Sequence, residues 1–345
     1  MSKNPFTLTF GKQPDNFILR QKNTSQIIDT FSDGGLSQTY LIEGVRGSGK
    51  TVLMTSIANS LQKDKDWIVV NLNAAVNLIN DFAKRLNDAC ETIPNFFSKG
   101  FSLSFAGVGI GVNGNDSLRD EISVIKDILN VVKKKKKKVL ITIDEAQHDK
   151  NMRAFASEFQ ILIREDYPIY LLMTGLYENI DKIQNDPLLT FLLRSPKITL
   201  DPLSTVQIIN MYQKTLEVNE EKAKELALIT KGYAFAFQAL GAIYWEHRNN
   251  PSPEIILPQL DGILDDFVYK KIWESCSERD KEILLSVCHD KVSVRDVCEK
   301  CRIKGTSFPR YKERLERKGL IVSPEYGFLS LSLPRFYEVV KNYPL

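Results

Sequence analysis

The sequence predicts an α/β fold, a mostly parallel sheet with helices on both faces, followed by a helical lid and a C-terminal winged helix-turn-helix. Three observations predict it. The octet Gly44-Val45-Arg46-Gly47-Ser48-Gly49-Lys50-Thr51 stands between an apolar run, Tyr40-Leu41-Ile42, and a helical pattern that starts at Val52. A second apolar, β-rich run, Val139 to Ile143, ends in Asp144-Glu145. Strand and helix patterns alternate as far as Asp201-Pro202, and beyond it helices dominate until two short strands near the C-terminus. Such alternation implies parallel strands joined by crossover helices. Ligands of such sheets bind beyond the carboxyl ends of the strands.

Bulk properties narrow the class. At 345 residues the chain has room for two or three domains of about 100–200 residues each. A formal charge of +3 is too small to argue for a nucleic-acid partner by itself. Five cysteines without regular spacing point to a reducing compartment and not to a disulfide framework. No apolar stretch reaches the length of a membrane span, and Met1 to Pro5 opens no apolar signal region. The expectation is a soluble cytoplasmic protein with no membrane partner.

Taken in order, residues 1 to 35 read as an irregular lead-in with one helix near Gln26 to Phe31, broken at Asp33-Gly34-Gly35. Thr39 to Glu43 is the first strand. The octet after it has the spacing of a phosphate-binding loop. Gly44, Gly47 and Gly49 allow strained dihedrals and let backbone N–H groups approach phosphate oxygens. The following helix adds its positive end. Lys50 can reach the outer phosphates and Thr51 can offer its hydroxyl to Mg²⁺. The candidate cofactor-binding residues are therefore Gly44, Val45, Arg46, Gly47, Ser48, Gly49, Lys50, Thr51 and Val52.

Trp67 to Leu72 reads as a buried strand, and a helix follows from about Ala75 to Glu91. Residues 101–112 alternate apolar and small residues as a β-hairpin would, or a glycine-rich surface loop. A helix from about Ser117 to Val132 runs into six lysines, Lys133 to Lys138. A solvated loop is the favoured reading of that run, with contact to nucleic-acid phosphates the alternative. The strand Val139 to Ile143 is apolar throughout, as a strand covered on both faces should be. An Asp at the end of such a strand, Asp144, holds Mg²⁺ in phosphate-loop enzymes. Glu145 beside it is placed to orient or deprotonate an attacking water.

A helix from about Met152 to Glu165 precedes the strand Ile169 to Thr174. Thr174 could touch the γ-phosphate or the water, or be a threonine chosen for β-propensity. Arg194, in Leu193-Arg194-Ser195, could reach a phosphate in its own chain or across a subunit boundary, or be a surface arginine. Lys197 to Leu200 is a short edge-like strand.

Helical patterns then run over Ser204–Glu217, Asn219–Thr230, Phe235–His247 and Ser252–Trp273, with Lys231-Gly232-Tyr233 as a helix stop. The aromatic cluster of Tyr233, Phe235, Phe237, Tyr244 and Trp245 reads as lid core. From Ser277 the pattern is three helices, then the strands Leu320–Val322 and Phe328–Leu331 around a turn, the layout of a winged helix-turn-helix. Arg310, Lys312, Arg314, Arg317 and Lys318 crowd its third helix and are the candidate double-stranded DNA contacts. Winged helices also serve as protein-contact modules, and Glu313 and Glu316 dilute the charge. Cys298 and Cys301 lack a second ligand pair, so they read as half-buried thiols and not a zinc site. The domain boundaries expected are 1–202 for the nucleotide-binding core, 203–274 for the lid and 275–345 for the winged helix.

These motifs resemble those of the AAA+ P-loop NTPases, in particular the branch of origin-recognition ATPases, archaeal-type ATPases and the signal-transduction ATPases called STAND. The octet is similar to Walker A, and Ile141 to Ala146 to Walker B. Leu172-Met173-Thr174 is similar to the sensor-1 strand, and Leu193-Arg194-Ser195 before Leu200-Asp201-Pro202-Leu203-Ser204 to the stretch that enters the lid. Lys231 to Phe235 resembles a lid motif that usually reads G-x-P, with Ala234 at the proline position. Ile18-Leu19-Arg20 resembles the element near the adenine, which makes Arg20 a candidate contact. No arginine of the usual sensor-2 type is found. The resemblance implies ATP/ADP and Mg²⁺ as cofactors and slow ATP hydrolysis coupled to double-stranded DNA or a partner, either a homo-oligomer or another protein. Its alternative is a STAND-like switch with negligible turnover, whose winged helix contacts protein.

Overall fold

The computed structural model describes residues 3–9, 14, 16–32, 37–97, 116–288 and 291–344. The expected hairpin at 101–112 and the break at 33–35 lie outside them. The chain forms two compact units.

One unit comprises Arg20–Glu43 and Leu53–Thr199. It opens with α1 (Gln21–Ser32), which buries Ile27 and Phe31. β1 (Thr39–Glu43) is buried along its whole length. The chain runs through the glycine-rich loop into α2 (Lys50–Gln62), then β2 (Trp67–Leu72). α3 (Leu78–Glu91) starts later than its apolar pattern suggests, because the Asn77 side chain accepts from the Asn80 N–H and caps it. α4 (Asp116–Lys134), β3 (Lys138–Ile143), α5 (Lys150–Arg164), β4 (Ile169–Gly175) and α6 (Tyr177–Gln184) follow. A 3₁₀ turn over Thr190–Arg194 leads into β5 (Lys197–Thr199).

The five strands are all parallel, in the order β2-β3-β4-β1-β5. In this register Glu43 pairs with Gly175 and Ile143 with Met173. The carboxyl ends of β1, β3 and β4 therefore lie side by side, and the glycine-rich loop leaves from the first of them. Fully buried Leu41, Ile141 and Leu171 explain why these strands carry unbroken apolar runs. α6 escapes a sequence reading because it is short and buries only Ile180 and Ile183, too few for a period to emerge.

In the lysine run Lys133 to Lys136 are exposed and Lys137 and Lys138 half-buried, and some of its ammonium groups reach back onto the protein. Lys138 Nζ donates to Ser32 O at 2.8 Å and lies over the Trp67 ring at 5.2 Å. Lys135 Nζ donates to Asn95 O at 3.0 Å and covers Phe96. These ammonium groups close helix and loop carbonyls while their stems cover aromatic rings.

The other unit comprises Met1–Leu19, Gly44–Val52 and Leu200–Leu345. Its helices are α7 (Thr205–Leu216), α8 (Glu220–Thr230), α9 (Ala234–Glu246), α10 (Pro253–Leu264) and α11 (Lys270–Glu274). The single helix expected over 252–273 is interrupted by a π-helical stretch, Asp265–Tyr269, and Pro258 lies inside its first part. α12 (Glu278–Ser286) starts in a capping box made by Ser277 and Asp280. β6 (Val292–Ser293), α13 (Val294–Lys300), α14 (Phe308–Arg317), β7 (Ile321–Val322), β8 (Phe328–Leu331) and α15 (Phe336–Val340) complete the chain. The two expected strands gain a third, in the order β6-β8-β7 with antiparallel pairing. One core runs through this unit, from Tyr212 and Phe237 through Tyr269 to Leu315 and Phe336. The Tyr269 hydroxyl donates to Pro334 O at 2.6 Å and stitches the π-helical stretch to the C-terminal segment.

Candidate nucleotide-binding site

The loop adopts the backbone its glycines permit. Gly47 has φ +77° and Gly49 φ +94°, both in the left-handed region. Lys50 is the first residue of α2, and its Nζ donates to Gly44 O and Val45 O, each at 3.0 Å. The ammonium is thus stationed at the loop, buried with the chain that would wrap a phosphate.

The lid turn buttresses this loop. The Tyr233 hydroxyl donates to Arg46 O at 2.5 Å, and the Phe235 N–H donates to Gly47 O at 3.1 Å. A Cβ on Gly47 would fall 2.2 Å from the Tyr233 hydroxyl oxygen, so no side chain fits there without moving Tyr233. Burial pushes the Tyr233 phenol well above its ordinary range, which keeps it a donor. With Arg46 O and Gly47 O held by the lid, the loop carbonyls are turned to protein donors, and the loop is fixed by contacts far away in sequence. Tyr233, expected in the lid core, is buried there and also reaches Arg46. Val45 packs against the same core, with its Cβ 3.4 Å from where a Cβ on Gly319 would stand. Tyr233→Phe keeps the ring and removes one donor. The lost hydrogen bond costs about 1 kcal/mol, an expected drop of roughly fivefold in nucleotide affinity by fluorescent-nucleotide titration.

The acid pair is organised by Thr174. This fully buried threonine donates its hydroxyl to Asp144 Oδ1 and accepts from the Glu145 N–H at 3.3 Å. The Glu145 N–H also donates to Asp144 Oδ1 at 3.1 Å, and the Ala146 N–H to Thr174 O at 2.8 Å. Glu145 takes φ +52°, a left-handed conformation uncommon outside glycine. At the base of the glycine-rich loop, Glu43 accepts from Thr199 Oγ1 at 2.7 Å and pairs with Lys197 at 3.2 Å. The Asp144 carboxylate is the kind of oxygen donor a hard cation such as Mg²⁺ takes.

The remaining candidates lie on the following elements. Arg20 immediately precedes α1. Arg194 ends the 3₁₀ turn, exposed. On α14, Arg314 Nε donates to Asp280 Oδ1 at 3.1 Å, and Lys318 Nζ is 4.0 Å from Asp280 Oδ2. Arg317 pairs with Glu313 at 2.5 Å and Lys312 with Glu316 at 3.7 Å. Arg310 is exposed and makes no ion pair among the described residues. Among the described residues no helix is long and apolar enough to cross a membrane.

Comparison with known proteins agrees with this geometry. Residues 36–184 match the family model described as an AAA domain, and residues 266–340 match a domain of unknown function (DUF8462). No curated protein matches the sequence. Among solved structures, the chain is similar to a Walker-type ATPase of Pyrococcus abyssi, with 14% identity, TM-score 0.64, and 95% of this chain and 96% of that one covered. It is similar to the ORC2 protein of Aeropyrum pernix, solved as ADPNP–ADP complexes, with 14% identity, TM-score 0.61, and coverage of 97% and 96%. It is also similar to Cdc6p of Pyrobaculum aerophilum, with 13% identity, TM-score 0.52, and 96% of each chain covered. Residues 36–184 thus match an AAA domain, and the fold over nearly the full length is similar to that of these archaeal Walker-type and ORC/Cdc6 proteins.

Proposed function

We propose that the protein binds Mg·ATP, hydrolyses it slowly, and passes its nucleotide state to the C-terminal module. The observation that carries the reading is the buttressed loop, with Lys50 at its carbonyls and Tyr233 and Phe235 holding it from the lid. Lys50 and the loop amides would hold the phosphates, Thr51 and Asp144 the metal, and Glu145 the water. When bound, the metal would neutralise charge developing on the transferred phosphoryl group. The solved Aeropyrum protein is named for its ADPNP–ADP complexes, which agrees with an adenine nucleotide.

The functional division follows as 1–202 for the core, 203–274 for the lid and 275–345 for a winged helix. In this reading Arg310, Lys312 and Arg317 face duplex DNA, while Arg314 and Lys318 serve the buried Asp280. A second reading takes its support from those same pairs: α14 offers fewer cations than its composition suggests, as suits a STAND-like switch whose C-terminal module meets protein.

An ATPase assay and a gel shift on one purified sample, with and without duplex DNA, test the proposal. The DNA reading expects ATP-dependent, salt-sensitive binding, weakened roughly tenfold or more when Arg310, Lys312 and Arg317 are reversed to Glu. Unchanged DNA affinity in that variant moves the function of α14 to protein contact.

A further inference from the structure

Glu145 holds a costly backbone conformation, and non-glycine residues stay in one only where their surroundings over-determine them. Thr174 fixes its N-terminal side. On the C-terminal side lies the loop to α5, and its anchor is His148. His148 Nε2 is 2.7 Å from Asp186 Oδ2. The Asp186 side chain is 1% exposed, and it also accepts from Arg153 Nε at 2.6 Å and from the Leu188 N–H at 2.9 Å. The Leu188 N–H, and then His148, hold its carboxyl down to about 2, so it stays ionised. Asp149, next to His148, caps α5 by accepting from the Met152 N–H at 2.8 Å. Asp186 O in turn accepts from the Leu189 N–H, at the start of the segment that ends in Arg194.

One buried carboxylate thus joins three pieces of chain: the loop after Glu145, the first turn of α5, and the segment leading to Arg194. The contact that joins them does not follow from spacing, since His148 and Asp186 are 38 positions apart.

We propose that His148 and Asp186 are positioning residues that hold the Glu145 loop in its hydrolytic geometry and tie it to the segment carrying Arg194. The pair touches no reacting atom. It acts by fixing where the Glu145 backbone stands, and a misplaced base loses rate while the phosphate loop keeps its grip. The inference rests on the hydrolytic role proposed for Glu145.

The test is steady-state ATPase kinetics and nucleotide titration on the full chain, comparing wild type with His148→Ala, His148→Gln and Asp186→Asn. His148→Ala and Asp186→Asn should lower kcat by roughly 10- to 100-fold, with KM and nucleotide Kd within about threefold of wild type. His148→Gln, whose amide nitrogen can replace Nε2 as donor, should restore kcat to within about threefold. A merely structural role would not divide kcat from KM or be rescued in this way. Wild-type kcat in His148→Ala overturns the pair and leaves the hydrolytic reading standing. A wild type that binds ATP without turnover overturns the hydrolytic reading, and the pair with it. If Asp186→Asn does not fold, the half-buried His148 series decides alone.

Discussion

Lys50→Ala is expected to abolish ATP binding at micromolar nucleotide. The side chain sits at the loop, with Nζ 3.0 Å from Gly44 O and Val45 O, so the ammonium needs little rearrangement to reach a phosphate. A charge-assisted hydrogen bond to phosphate contributes about 1.5–3 kcal/mol, and two such bonds give roughly 3–6 kcal/mol. Their loss corresponds to a fall of about 10²–10⁴-fold in affinity. The variant also removes a donor from two loop carbonyls, of which Val45 O keeps the Ser48 N–H at 3.2 Å, so a thermal unfolding curve is needed to separate a lost phosphate contact from a disturbed loop. Isothermal titration with ATP and Mg²⁺ provides the affinity. Micromolar binding retained by a folded Lys50→Ala protein would refute the assignment of this loop.

What the sequence made legible was what is local. The strands Thr39–Glu43 and Trp67–Leu72 match their expected bounds, because each is a short apolar run ended by residues that break it. The phosphate loop reads from eight consecutive residues, and the acid pair from its place at the end of an apolar strand. What stayed hidden depends on residues far apart. Tyr233 reaches Arg46 across 187 positions, and nothing in the lid pattern distinguishes it from an ordinary buried aromatic. On α14 the bases and the acids Glu313 and Glu316 can be counted, but not the charge that takes Arg314: Asp280 lies 34 positions upstream. The three histidines form no pattern in sequence, and only the fold brings His148 to Asp186. The sequence allows Thr174 either a phosphate or a propensity role, and its contacts are to the acid pair itself.

That last contact shapes the second large effect, expected for Glu145→Gln. The variant should bind ATP as wild type does and lose about 10²–10⁴-fold in turnover, the range for removing a general base. The prediction separates two uses of the residue. The Glu145 backbone supports the site, since its N–H bridges Asp144 and Thr174, and Gln keeps that N–H and nearly the same shape. Its left-handed φ costs Gln about what it costs Glu, so the change should not unfold the loop. The side chain is exposed and contributes little to the core. What the change removes is the proton-accepting oxygen. Single-turnover hydrolysis after preloading with ATP and Mg²⁺ isolates the chemical step from binding and release. A Glu145→Gln protein that turns over at the wild-type rate would move the base elsewhere. One that loses binding and turnover together would mean that this carboxylate holds the metal beside Asp144, and that the water is activated from another position.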